Sequence, residues 1–451
     1  MLRKIRIAAA AFFFVLTTLL FLDFTGTLHA WFGWMAKIQF LPALLALNVG
    51  VVAFLVILTL LFGRVYCSVI CPLGVMQDIV SWASGKRRKH RNRFAYSPAL
   101  TWLRRGMLVV FVAAMLAGVG SLLAPYSAYG RIASNLLAPV YAWGNNLLAY
   151  IAGRMDSYAF YSVDVWMKSL STLLVAVVTF AVLFVLAWRS GRTYCNTICP
   201  VGTVLGFLAR YSLFKPRFDT SKCNGCKLCA RNCKASCIDP AAHKIDYSRC
   251  VACMDCLENC RQGAITYTLR RRKPDPAPAP QRPAADAAKT PSDASRRRFL
   301  GLADIVAYSA LRAQEKKVDG GLAVIVDKKI PNRATPVVPP GAQSLRHFNA
   351  HCTGCQLCVS VCPNQVLRPS GKLMTLMQPE MSFERGYCRP ECTKCAEVCP
   401  TGAIRLTDLA GKSSIQIGHA VWIAENCVVN TDGVSCNNCA RHCPAGAIKM
   451  V

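Results

Sequence analysis

The stretch Gly63-Arg-Val-Tyr-Cys-Ser-Val-Ile-Cys-Pro-Leu-Gly74 returns 128 positions later as Gly191-Arg-Thr-Tyr-Cys-Asn-Thr-Ile-Cys-Pro-Val-Gly202. Each copy closes a pair of apolar segments, so the first half of the chain reads as an internal repeat of parallel topology. Cys67 and Cys71, like Cys195 and Cys199, are four residues apart and share one helix face. Pro72 and Pro200 suit the first turn of a following helix. A pseudo-twofold axis would gather these four thiols at the cytoplasmic edge of a membrane bundle. Small residues packing helices would account for one such motif; two copies argue for a metal site.

Working outward, four uncharged apolar runs flank the repeats: Ile7–Leu22 (16 residues), Ile38–Gly63 (26), Gly106–Pro125 (20) and Leu170–Trp188 (19). About 20 residues cross the hydrocarbon, so a four-span α-helical bundle over residues 1–215 is expected. The first run, behind Arg3, Lys4 and Arg6, also resembles a signal peptide, but no small-x-small cleavage site follows it. Asn135–Ala152 carries Pro139, Asn145 and Asn146 and reads as interfacial or re-entrant. Basic residues at the N-terminus, between Arg64 and Arg105, and after Arg189 put both ends of the bundle in the cytoplasm. The chain carries 53 Lys+Arg against 23 Asp+Glu. The Lys86–Arg93 run is accordingly an anchor beside anionic membrane lipid, not a nucleic-acid contact. No facing histidines within the spans support a haem bundle.

Of the 25 cysteines, 21 follow position 220. Cys223, Cys226, Cys229, Cys233 and then Cys250, Cys253, Cys256, Cys260 form the two-cluster bacterial ferredoxin pattern, in which each fourth cysteine serves the other cluster. Three thiolates in seven residues suit iron–sulfur clusters better than zinc. Lys234 and Arg261 replace the proline usual after the fourth cysteine, and Cys237 is an alternative ligand to Cys233. Three further motifs follow: Cys352, Cys355, Cys358, Cys362; Cys388, Cys392, Cys395, Cys399; and Cys427, Cys436, Cys439, Cys443. Their ends, Gly402–Ile404 and Gly446–Ile448, read as short strands. Five motifs of four ligands correspond to about five [4Fe–4S] clusters. The membrane thiols offer an additional cluster or metal site.

The expected organisation is a bundle (1–215), an α+β two-cluster ferredoxin domain (216–270), a Pro/Ala-rich linker (271–295) and a second polyferredoxin (296–451). Residues 1–270 resemble the NapH type of membrane quinol-oxidising ferredoxin subunit, which accompanies periplasmic nitrate reductase. Residues 295–451 resemble its companion polyferredoxin, the NapG/MauM type, including the twin-arginine-like Ser295-Arg-Arg-Arg-Phe-Leu300. The resemblance implies an electron relay in a bacterial inner membrane. It would link the quinone pool to a partner oxidoreductase or cytochrome, with the N-terminus and first ferredoxin domain cytoplasmic. No acid–base set for further catalysis is apparent. The rival reading is a copper reductase or metallocofactor-assembly ferredoxin, since four thiolates also suit copper. Phe299–Leu311 has 13 residues and contains Asp304, too short and too polar to span. The twin-arginine segment is therefore expected to be vestigial and the second polyferredoxin to stay cytoplasmic.

Overall fold

The computed structural model describes residues 1–87, 93–117, 123–269, 335–372, 375–384, 386–418, 421–443 and 446–450. The linker, the twin-arginine-like segment and Phe299–Leu311 lie outside these. Among the described residues two helices are long and apolar enough to cross a membrane, α1 (Leu2–Leu22) and the later Leu170–Ser190. The run that resembles a signal peptide thus continues a 21-residue helix in which Arg3 and Arg6 are themselves helical. At 1.5 Å per residue it is about 31 Å long.

The other two expected spans are not single long helices. The second breaks at Leu47, whose φ of 52° is left-handed, between Phe40–Leu45 and α2 (Val49–Phe62). A short helix α3 (Val65–Val69) and then α4 (Pro72–Gly85) follow, with Pro72 at the first helical position as expected. The third span is the 16-residue α5 (Thr101–Leu116).

The expected re-entrant segment is a continuous helical rod. Its first part, α6 (Pro125–Ile132), is buried at every residue, and a π-helical turn over Ala133–Leu137 joins it to α7 (Ala138–Arg154), which has no buried residue. Aromatic packing seats α6 on the far half of α1. Tyr129 lies 5.6 Å from Phe14 and Tyr126 5.6 Å from Phe21, between ring centroids. Helix α8 (Leu170–Ser190), α9 (Thr193–Thr197) and α10 (Pro200–Ala209) then repeat the α2–α3–α4 course.

The first ferredoxin unit is closed by β1 (Phe214–Phe218) pairing antiparallel with β4 (Ile265–Leu269), so its two ends meet. Between them β2 (Ile238–Asp239) pairs with β3 (Lys244–Ile245). In the second unit β5 (Leu367–Pro369) pairs with β6 (Pro379–Met381). The strands expected at Gly402–Ile404 and Gly446–Ile448 do not form; those residues are turns, bends and coil. A strand needs a partner for its backbone groups, and among the described residues neither segment has a partner strand.

The two ferredoxin units occupy opposite ends of α1. Arg3 Nε donates to Asp255 Oδ1 at 2.8 Å at its N-terminal end. Beyond its C-terminal end, Lys394 Nζ donates to the Thr25 carbonyl at 3.1 Å. Packing thus seats the second unit at the other end of α1 from the first. The closest seat is at Gly130 of α6, where a Cβ would stand 2.4 Å from the Cys355 carbonyl oxygen and 2.8 Å from the Phe21 ring.

Gly130→Val should therefore unseat the second unit at an overpacking cost of about 1–3 kcal/mol. Limited proteolysis is expected to cut faster between residues 345 and 405 while the first unit stays protected. Unchanged protection of both would show that this contact does not hold the unit.

Candidate iron–sulfur and thiol centres

The two repeats interlock through their arginines. Gly63-Arg64 and Gly191-Arg192 place each guanidinium across the pseudo-twofold, and both side chains are fully buried. Arg64 Nη2 donates to the Cys195 carbonyl at 3.1 Å and approaches Cys67 Sγ at 3.7 Å. Arg192 Nη1 donates to the Cys67 carbonyl at 2.6 Å and approaches Cys195 Sγ at 4.0 Å. The glycines ending the motifs make room for this crossing. A Cβ at Gly74 would stand 2.7 Å from Arg192 Nη1 of the other repeat, and one at Gly202 would stand 2.8 Å from Arg64 Nη2.

All four repeat cysteines are buried, and each of Cys71, Cys195 and Cys199 lies within electrostatic reach of thiols from the other repeat. Burial, with the neighbouring thiols, pushes Cys71 up to about 12 and raises Cys195 and Cys199. Donors point at the sulfurs: Gln77 Nε2 at 3.3 Å from Cys195 Sγ, and the Gly202 N–H at 3.4 Å from Cys199 Sγ. A ligated thiolate accepts such bonds; a neutral thiol needs none of them. Among the described residues Arg64 has no carboxylate within ion-pair distance; its guanidinium meets Asn196 Oδ1, the Ser248 and Cys195 carbonyls and the repeat thiols. Donor set and charge both fit an anionic metal–thiolate group. Among the described residues no three Cys, His, Asp or Glu side chains converge tightly enough for a single metal ion.

Asp78 on α4 collects the cations beneath this centre. Arg6, Arg192 and Lys234 reach its carboxylate at 2.9, 2.8 and 3.6 Å. Lys234 also pairs with Asp255 at 3.0 Å, and its carbonyl accepts the Arg192 N–H at 2.9 Å. The lysine that stands where ferredoxins carry proline therefore docks the first unit onto the bundle. Sequence reasoning registered Lys234 only as a departure; its partners come from three separate segments.

Within the first unit, Cys260 lies within reach of Cys229, as do Cys223 and Cys226. A small enclosed cavity is lined by Cys233, Cys237, Cys250, Cys253 and Cys256, with apolar walls. Cys237 Sγ is 3.5 Å from Cys233 Sγ, so both alternatives for the fourth ligand stand at the same cavity. The second unit repeats the exchange: Cys399 joins Cys352, Cys355 and Cys358, while Cys362 joins Cys388, Cys392 and Cys395. The third motif, Cys427 to Cys443, lies in a largely exposed segment. The Ala264 and Ala447 N–H groups donate to Cys260 and Cys443 Sγ at 3.2 and 3.3 Å, each following a glycine at positive φ. Gly263-Ala264 thus makes a sulfur-capped turn that leads into β4, while Gly446-Ala447 makes the same turn without a strand after it.

Residues 44–90 and 172–221, the two repeat copies, match a family described as 4Fe-4S binding domain. Residues 351–403 and 387–447 match the 4Fe-4S dicluster domain. The chain is thus a ferredoxin-type, iron–sulfur electron-transport protein that binds multiple [4Fe–4S] clusters. Among curated proteins it is 28% identical over 172 residues to the methylamine utilization ferredoxin-type protein MauN of Paracoccus denitrificans, covering 38% of this chain and 48% of the relative. It is 33% identical over 123 residues to MauM of Methylophilus methylotrophus (25% and 50%), and 29% over 195 residues to the ferredoxin-type protein NapH of Escherichia coli (43% and 55%). The chain therefore carries a NapH-like segment and polyferredoxin-type segments, and its matches span about half the length of each of these relatives. No solved structure matches it.

Burial alone would raise the Asp78 carboxyl, but Arg192, Lys234 and Arg6 outweigh it and hold it well below the ordinary carboxylate range. A depressed folded-state pKa stabilises fully above about pH 4, and the contribution is lost as pH falls further. Asp78→Asn should cost about 3–5 kcal/mol at neutral pH by leaving buried cations unpaired, and should flatten the acid limb of the stability curve. An unchanged acid limb in thermal melts would sink this assignment.

Proposed function

We propose that the protein is an inner-membrane electron relay between the quinone pool and a partner oxidoreductase or cytochrome, with its two ferredoxin units on opposite faces of the membrane. The observation that carries this reading is the seating of the units at opposite ends of a helix about 31 Å long, near the thickness of the hydrocarbon core. The basic N-terminus favours the first unit as the cytoplasmic one. Helices α2 and α5, with α1 and α8, would complete the four-span bundle over 1–215.

The ligand sets favoured by proximity are Cys223/Cys226/Cys229/Cys260, and Cys250/Cys253/Cys256 with Cys233 or Cys237. In the second unit they are Cys352/Cys355/Cys358/Cys399 and Cys362/Cys388/Cys392/Cys395, with Cys427/Cys436/Cys439/Cys443 as the fifth motif. Cys67, Cys71, Cys195 and Cys199 would hold a sixth. A bound [4Fe–4S] cluster supplies reversible one-electron transfer at a potential set by charge, hydrogen bonds to sulfur and exposure. This chain's residues act on those terms. Arg64, Gln77 and the Gly202 N–H stabilise negative charge on the buried sulfurs, which raises the potential there.

Helix α6 fills the interval between the thiol centre and the second unit. Tyr194, adjacent to Cys195, donates to the Leu123 carbonyl at 3.3 Å. Arg131 lies within electrostatic reach of both Tyr194 and Cys355, and Tyr126 of Cys355 and Cys399. A copper-reductase reading has less support, because a mononuclear site requires closer convergence of ligands than the described thiols have.

Sidedness is the direct test. Cysteines introduced at exposed Ala241 and Leu409 are treated with an impermeant thiol reagent in intact cells. Leu409→Cys should label at once and Ala241→Cys only after permeabilisation; the same pattern at both positions rules out a relay across the membrane. Iron content tests the sixth site. Anaerobically purified protein should hold about 24 Fe per chain. Cys67→Ser, Cys195→Ser and the double variant should each hold about 20, because ligands of one site act as a unit.

A further inference from the structure

A cavity of about 570 Å³ lies between the outer end of α1, the segment 161–168 and the second ferredoxin unit. That volume is within the roughly 300–1,000 Å³ of small-molecule sites. Phe21, Phe24, Trp143, Tyr161 and Trp166 supply aromatic walls, and Cys362 with Pro363 forms the ferredoxin side. The walls are tied together across the interface. Trp166 Nε1–H donates to Gln365 Oε1, with Arg368 4.4 Å over the same ring. Lys168 Nζ donates to the Val359 carbonyl at 3.4 Å, and Asn135 Nδ2 to Gln356 Oε1 at 2.9 Å. The buried hydroxyl of Ser134, another lining residue, has no hydrogen-bond partner among the described residues.

We propose that this cavity binds the ring of a membrane-soluble quinone or quinol, an inference that rests on the relay reading. Three features select that chemistry. Aromatic walls favour a flat ring, since stacked and edge-on rings attract one another. A few polar groups, Ser134, Asn135 and Lys168 among them, suit a ligand with oxygens at its edge. The lining is mainly apolar, with Asp164 and Lys168 as its charged members, which suits an uncharged ring better than a charged, water-soluble donor. The location fits as well. Trp143 and Tyr161 are exposed beside the end of α1, where amphipathic aromatics mark a membrane surface. Cys362, in the cavity wall, stands with Cys388, Cys392 and Cys395, so a ring bound here would lie beside a cluster-type thiol set.

The test irradiates full-length, cluster-loaded protein in lipid nanodiscs with a short-chain azidoquinone and maps the modified peptides. Adducts are expected within 134–143 and 161–168. Ala142→Trp, which fills the cavity from α7, should reduce them at least tenfold with iron content unchanged. Ser360→Phe fills it from the ferredoxin side and should do the same, which keeps the test decisive if Ala142→Trp fails to fold. A prenyl chain lacking the ring should not compete. Adducts elsewhere, adducts insensitive to both variants, or equal competition by the ringless chain would overturn the site. Cluster reduction by a quinol is read separately. Reduction with labelling elsewhere discards the cavity and leaves the relay standing; labelling here without reduction keeps the site and discards the relay.

Discussion

Two buried guanidinium groups organise this molecule. A guanidinium cannot be neutralised by losing its proton, so once removed from water it must be met by acceptors or anions. Arg192 meets Asp78, and Arg64 meets a carbonyl, Asn196 and sulfur. Each arginine reaches into the other repeat, so neither repeat can satisfy its own buried charge alone. That requirement fixes the crossing of the repeats, the close approach at Gly74 and Gly202, and the meeting of the four thiols. It also gives the thiol centre a reason to be anionic, because one of the two cations has no carboxylate of its own.

Charge also explains how the first ferredoxin unit is held. Asp78 and Asp255 are shared by Arg3, Arg6, Arg192 and Lys234, drawn from the N-terminus, the second repeat and the ferredoxin. Cations in excess of acids at a buried junction would be unfavourable in isolation. Beside thiolate-rich centres the balance reverses, since Lys234 also lies within reach of Cys253. The second unit uses different means: close backbone packing at Gly130, an aromatic layer around Tyr126, and lysines on backbone carbonyls, Lys394 on Thr25 and Lys168 on Val359.

Much of this was readable in the residues. Cysteine spacing revealed the cluster motifs, and eight identities over twelve aligned positions revealed the duplicated bundle motif. The prolines after Cys71 and Cys199 started helices as their geometry requires. Other features were hidden for physical reasons. Helix α6 is buried on every side, yet its mixed polar and apolar residues, Ser127 and Arg131 among them, read as a half-exposed helix and disguise its depth. The role of Lys234 depends on partners more than 20 and 150 residues away. Gly-Ala-Ile runs carry the residue types of a strand, but only Ile265–Leu269 finds a partner, Phe214–Phe218. The seating of the second unit was unreadable because a long linker permits either end of the bundle.

The position of α6 gives the architecture its internal logic. A bundle that merely anchored two soluble ferredoxins would have no need to bury a polar helix with two tyrosines and an arginine at its centre. Burial of Tyr126, Tyr129 and Arg131 is costly unless their polar groups are engaged, and an all-apolar helix would fill the same space more cheaply. Their retention places polarizable and hydrogen-bonding groups between Tyr194, next to the thiol centre, and Cys355, in the second unit. The same helix continues through its π turn into the wall of the aromatic cavity at Asn135 and Ala138. One rod thereby touches the thiol centre's neighbourhood, the second unit and the cavity.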